Sequence, residues 1–170
     1  MYKSLLLLYK EDIIGSLESI RIAYPNFKNK GLFLYFFINL INNRFIIDAR
    51  LNKKLIIIKN TIKKGLFNRV YSDLELIREE CIHYNIYGIC TTYLPLICFS
   101  NLVRRLFDLH SSDYKVNLCY VLEVINLKYE DIISLLCSVI DLNLIKGYLS
   151  INKEVIVFSR KDPFPMCLNI

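Results

Sequence analysis

The sequence predicts a mainly helical fold: an array of packed helices closed at its C-terminal end by one small β-hairpin. Three observations carry this. Apolar residues recur at three-and-four spacing through most of the chain. Glycine and proline are sparse and fall between these periodic segments. Only near the end, in "LIKGYLSINKEVIVFSRKDPFP" from Leu144 to Pro165, does the spacing change to the alternation of paired strands.

Taken in order, "YKEDIIGSLESIRIAY" (Tyr9 to Tyr24) sets Ile13, Ile14, Leu17 and Ile20 on one helical face and stops at Pro25-Asn26. "KGLFLYFFINLINN" is apolar nearly all round, as a buried helix is. In "LNKKLIIIKNTIKKG" Leu51, Leu55, Ile58 and Ile62 share one side, Lys53, Lys54, Lys59, Lys63 and Lys64 occupy the rest, and Gly65 ends the helix. Ser72-Asp73-Leu74-Glu75 has the pattern of a capping box, which predicts a helix starting there and running to about His83. A long segment follows through Pro95 to Leu109, and "HSSD" (His110 to Asp113) breaks it. Antiparallel pairing of these helices buries faces that one pair alone leaves open, although no sequence period emerges.

Beyond Asp113, "KVNLCYVLEVINL" reads as a short helix. "YEDIISLLCSVIDLN" reads as a second, with Glu130 and Asp131 favourable in its first turn and Asn143 at a left-handed cap. The hairpin follows, "IKGYLSI" and "EVIVFSR" around a turn at Asn152-Lys153, with Ile145, Leu149 and Ile151 on one strand face. A lone two-stranded hairpin is marginal in water and must pack on the helices before it. Helix, helix and two-stranded wing make a winged helix. The organisation expected is therefore a helical-repeat array over 1–110, a winged-helix subdomain over 111–162 and a tail over 163–170.

Composition narrows the function. The chain of 170 residues is long enough for a substantial core. Its net charge of +6 and pI near 9.0 suit nucleic acid, an acidic peptide or an anionic surface. The hydrophobic fraction of 54% and mean hydropathy of +0.35 raise membrane insertion. Ile86 to Val103 carries no charge over the minimum length of a span, yet Thr91, Thr92, Pro95, Ser100 and Asn101 interrupt it, so a core helix is expected and not an insertion. Part of the apolar excess is compositional. Alanine appears only as Ala23 and Ala49 and glutamine not at all, as an AT-rich coding sequence would produce.

The six cysteines form no CxxC pair and sit among apolar residues, the setting of buried thiols; Cys81-Ile82-His83 has no second pair to complete a zinc site. No cofactor is expected. "SLLLLY" near the start is too short for a secretory core, which favours a reducing intracellular compartment. The five glycines are scattered singly, and neither His83 nor His110 has a nucleophile beside it, so no enzyme is expected.

A helical array fused to a C-terminal winged helix resembles the PCI domain of the proteasome lid, the signalosome and a translation initiation factor. Ile145-Lys146-Gly147-Tyr148-Leu149-Ser150 and Asp162-Pro163-Phe164-Pro165 resemble the end of the PCI subunit of the nuclear transcription-and-export complex 2, with Asp162 in place of Asn. The likeness extends over residues 28–165 and is strongest from Tyr129 onward. Members of that family are usually longer, so the chain reads as a pared-down one. The resemblance implies a non-catalytic scaffold at the nuclear pore that couples transcription to mRNA export. It implies as partners a large scaffold subunit, a small acidic disordered subunit, and RNA or DNA.

The helix from Glu130 to Asn143 has no cation, and its polar face of Glu130, Ser134, Ser138 and Asp141 opposes phosphates, so sequence reading by this helix is not expected. Lys146, Lys153, Arg160 and Lys161 on the wing, with Lys128 before the helix, suit backbone contacts, and Tyr148 and Phe158 are aromatics available for stacking. The lysines Lys53, Lys54, Lys59, Lys63 and Lys64 form a second basic patch suited to nucleic acid or the acidic subunit. The alternatives are a PCI subunit of the signalosome or proteasome lid, and a stand-alone winged-helix DNA-binding regulator.

Overall fold

The computed structural model describes residues 15, 16, 18, 19, 29–46 and 51–165. The expected helix at Tyr9 to Tyr24 and the stop at Pro25-Asn26 lie outside these, apart from four helical positions. The chain forms two compact units, one ending at Lys53 and the other spanning Lys54–Pro165. In the first, helix α1 (Asn29–Ile41) is buried along nearly its whole length, as its unbroken apolar run predicts. Phe33 and Phe36 both pack against Phe37, with ring centroids 4.7 and 5.0 Å apart.

The second unit is built on α5 (Tyr87–His110), the long helix expected around Pro95. Every residue from 97 to 103 is buried, so α5 meets protein on all sides. It packs against α3 (Phe67–Glu75), α4 (Arg78–His83), α6 (Leu118–Val124), α7 (Tyr129–Asp141) and strand β1 (Lys115–Asn117). Each large apolar side chain so enclosed contributes about 1.5–3 kcal/mol. No helix among the described residues is long and apolar enough to cross a membrane.

Helix α2 (Lys53–Lys63) shows the predicted face: Leu55, Ile58 and Ile62 are buried, as is Leu51 just before it. At its C-terminal end Leu66 N and Gly65 N return to Thr61 O and Ile62 O at 3.0 and 3.1 Å, and one stripe of α5 adds side-chain donors. Cys98 Sγ reaches Thr61 O at 3.6 Å, Asn101 Nδ2 reaches Ile62 O at 3.1 Å, and Arg105 Nη1 reaches Lys64 O at 2.8 Å. Gly65 then turns the chain at φ +63°, as predicted, and a Cβ there would lie 2.5 Å from the Leu102 backbone nitrogen.

Three local expectations are corrected. Ser72 is not a helix cap: α3 begins at Phe67, directly after the Gly65 turn, so Ser72 lies mid-helix and its hydroxyl donates to Arg69 O. Asp73 turns inward instead, accepting from the Thr61 hydroxyl in the core, and the helix breaks at Leu76–Ile77 before α4. Lys115–Asn117, expected to be helical, is a strand, so the sheet has three strands in the order β1–β3–β2. Strand β2 is Gly147–Ser150 and β3 is Val155–Phe158. A 3₁₀ turn at Ile151–Lys153 joins them, with Glu154 and not Asn152 taking the positive φ. That turn carries Ile151 off the inner face and leaves it 58% exposed, whereas Ile145 is buried and Leu149 half-buried. Asn143 takes the left-handed conformation expected of it.

The described cysteines are all free thiols. Cys81, Cys90 and Cys98 are buried as expected, but Cys119 and Cys137 are exposed. A hydrogen bond that the Cys90 thiol donates to Cys81, together with burial, holds that thiol well above its usual range. Burial, reinforced by the Asp73 carboxylate, pushes Cys98 up to about 12.

Gly65→Ala combines a left-handed backbone with a collision against α5, so it should cost upward of about 2 kcal/mol in urea unfolding. An unchanged midpoint would show that the approach to Leu102 is not a constraint. At pH 8, an alkylating reagent should modify Cys119 and Cys137 in the native protein and reach Cys98 only on unfolding. Because the folded pKa of Cys98 is raised, its contribution is complete below the unfolded pKa of about 8.5 and is lost as pH climbs toward about 12. Cys98→Ala should flatten that alkaline decline.

Candidate nucleic-acid interface

The three-stranded sheet that stands where a wing is expected is assembled from segments far apart in the chain. Strand β3 is central, pairing Val116↔Ile156 on one side and Leu149↔Ile156 on the other. Ile156, Val116 and Phe158 face inward and are buried. On this inner side Phe158 meets Phe107 of α5 at 4.8 Å and Phe164 at 5.4 Å. The outer side aligns Lys115, Val157 and Tyr148 in one cross-strand row. Of the two aromatics considered for stacking, Tyr148 is therefore 61% exposed, and Phe158 belongs to the core.

The stretches "IKGYLS" and "DPFP" close on each other. Lys146 N donates to Pro163 O at 2.8 Å, and Lys146 Nζ lies 3.7 Å from the Asp162 carboxylate. Ser159 N returns to Lys146 O at 2.8 Å. Phe164 covers Phe107 at 5.5 Å, with the Arg104 guanidinium over its ring. Gly147 sits directly against β3, where a Cβ would collide with Val157 O. Ser100 Oγ ties α5 to this region through Leu144 O at 3.3 Å.

The basic residues divide by environment. Arg160 pairs with Asp113 at 3.2 Å, and Lys115 pairs with the same carboxylate at 3.6 Å. With Lys146 held by Asp162, three wing cations already face an acid. These are solvent-exposed pairs worth under about 1 kcal/mol each, which a phosphate can compete with. Lys128, at the N-cap of α7, and Lys153 and Lys161 are exposed and make no ion pair among the described residues. Lys115 is the residue that sequence reasoning missed. Its strand is too short to show alternation, and the single buried Val116 between two polar residues was the available signal.

Helix α7 keeps its predicted division. Ile132, Leu136 and Val139 are buried, while Glu130, Asp131 and Asp141 are exposed. The Ser134 and Ser138 hydroxyls donate to carbonyls one turn back in their own helix. The surface that would meet a DNA groove thus presents carboxylates and no cation. Along α2 and in the turn that follows it, Lys53, Lys54, Lys63 and Lys64 are exposed and Lys59 half-buried; Lys54 pairs with Glu80 of α4 at 3.3 Å. Among the described residues no three His, Cys, Asp or Glu side chains converge to hold a metal ion.

Comparison with protein-family models finds no match to the chain. Comparison with curated proteins finds none either.

Because Gly147 lies against β3 backbone, Gly147→Ala should disrupt the wing selectively. Amide exchange in β2 and β3 should accelerate by more than about tenfold while α5 amides keep their protection. Equal protection in both proteins would mean that the strand shifts at little cost.

Proposed function

We propose that the chain is a non-catalytic scaffold subunit of the PCI type, acting in a nuclear mRNA-export complex at the pore. In this role it assembles with a large scaffold subunit and a small acidic subunit and holds RNA or DNA through phosphate contacts without reading sequence. The observation that carries the proposal is the wing. Exposed Lys128, Lys153 and Lys161 accompany a second helix whose exposed charges are all acidic. Phosphate contacts position a nucleic acid, and specificity needs base contacts that this helix is not equipped to make. The link to export rests on the interlocked "IKGYLS" and "DPFP" stretches, whose mutual contacts give both a structural reason to occur together. A PCI subunit of the signalosome or proteasome lid fits the helices equally well but not that pairing of motifs. A stand-alone regulator is disfavoured by Glu130, Asp131 and Asp141 on its reading helix.

Binding of single-stranded and duplex oligonucleotides across a salt series tests this. The native chain should bind weakly, with similar affinity for unrelated sequences and a steep salt dependence. Lys128→Glu, Lys153→Glu and Lys161→Glu together should flatten the log–log slope by roughly three units, one for each phosphate that a lysine no longer neutralises. Absence of binding by the native chain, or a slope unmoved by the triple substitution, would remove the wing as the nucleic-acid surface.

A further inference from the structure

Away from the wing, a cleft of about 380 Å³ opens between the α2–α3 turn, the last turns of α5 and the C-terminal end of α6. Phe67, Leu102 and Leu106 form its buried floor. Its lips are apolar and open to solvent: Leu66 is 38% exposed, Val124 45% and Leu109 74%. Asn68 braces the wall between α3 and α6, donating to Val124 O at 2.9 Å.

The charged side chains that line this cleft are of one sign. Lys64, Arg69 and Arg105 line it, and no carboxylate does. Arg105 spends one N–H on Lys64 O, leaving the rest of its fork for an incoming acid. Clustered apolar lips with a polar rim mark an interaction surface, whereas singly scattered exposed apolar residues do not. A phosphate backbone would use the cations and leave Leu109, Leu66 and Val124 in water, so nucleic acid fits only half of the surface. A second copy of this chain, itself carrying a charge of +6, is a poor electrostatic match.

We propose that this cleft docks an amphipathic helix from a protein partner. Leucine- or phenylalanine-sized residues at helical i, i+3/i+4 and i+7 spacing enter the cleft, and carboxylates on the flanks meet Lys64, Arg69 and Arg105. The apolar floor supplies affinity, and the cationic rim selects acidic helices over basic ones. This site shares no residue with the wing and stands independently of the nucleic-acid contact proposed there.

The test uses the full chain and a fluorescent designed helix of roughly 18 residues, long enough to present such anchors over several turns. It carries leucines on one face and glutamates elsewhere. Two controls accompany it: a scramble that spreads the leucines over all faces, and a version with lysine for every glutamate. Fluorescence anisotropy should show the acidic amphipathic helix binding at least about tenfold more tightly than either control. Arg69→Glu and Leu109→Ser, both at exposed positions, should each weaken it by about fivefold or more with unchanged melting temperature. The wing triple substitution should leave the affinity intact, so that failure here and failure of the wing contact read out separately. Equal binding of the scramble, or insensitivity to Arg69→Glu and Leu109→Ser, would overturn the site. Displacement of the helix by an oligonucleotide, abolished by Arg69→Glu, would reassign the cleft to nucleic acid.

Discussion

The close approach of the α2–α3 turn to α5 is the constraint on which the larger unit depends. Gly65 lets the backbone reach Leu102 without an intervening side chain. That proximity brings Cys98, Asn101 and Arg105 within hydrogen-bonding reach of the Thr61, Ile62 and Lys64 carbonyls. The same contact orients α3, which carries Asp73 inward to Thr61 and holds Phe67 against Phe99 at 5.5 Å. Burying the Asp73 carboxyl is tolerable only with a donor facing it. The donor sits on α2, so α2, α3 and α5 fix one another in register. The cleft beside them follows from this geometry: a turn lacking a side chain, pressed on a helix, leaves its flanking leucines apart.

The helices were legible because their periodicity is long. Leu51, Leu55, Ile58 and Ile62 announce the buried side of α2, and the uncharged stretch around Pro95 announces a helix enclosed on every side. What escaped were features decided by tertiary contact. Ser72-Asp73-Leu74-Glu75 has every residue of a capping box, but a cap needs a chain arriving from a non-helical direction, and the Gly65 turn starts the helix earlier. Strand β1 escaped because one apolar residue between two polar ones is too short an alternation to stand out without the β3 partner that selects it. Alternation places Ile151 inward, and a 3₁₀ turn ends the alternation one residue sooner. Apart from Lys115, the individual cations of the wing were visible in sequence. Which of them are engaged by Asp113 and Asp162 was not, because those pairings join residues distant in the chain or brought together by the turn at positive φ of Asp162.

Within the wing, polar and apolar chemistry are separated by the two faces of one thin sheet. Inward, Phe158, Phe107 and Phe164 make an aromatic cluster that anchors the end of the described chain to α5. Outward, the row of Lys115, Val157 and Tyr148 is set by strand register alone. Helix α7 packs on β2 and exposes the carboxylates Glu130, Asp131 and Asp141, while Lys153 and Lys161 of the wing make no ion pair among the described residues. A surface divided in this way attracts anions at one place and deters them at another, which constrains how a polyanion lies without any contact to bases.

The order of strands in the sheet has a consequence for how the molecule is made. Strand β3 lies between β1 and β2, yet it is synthesised after both, and its pairing with β1 joins residues some forty positions apart. Until Phe158 has emerged, β1 and β2 have no ladder to join, and the inner face of the wing has no floor. Such non-local pairing is slow because a loop must close before any contact rewards it. The helices α2 to α5, by contrast, have all emerged by His110, so their mutual contacts, although up to 41 residues apart, need nothing synthesised later. A chain emerging from the ribosome therefore carries a formed helical body and an incomplete sheet, with two strand edges open to other chains at that stage.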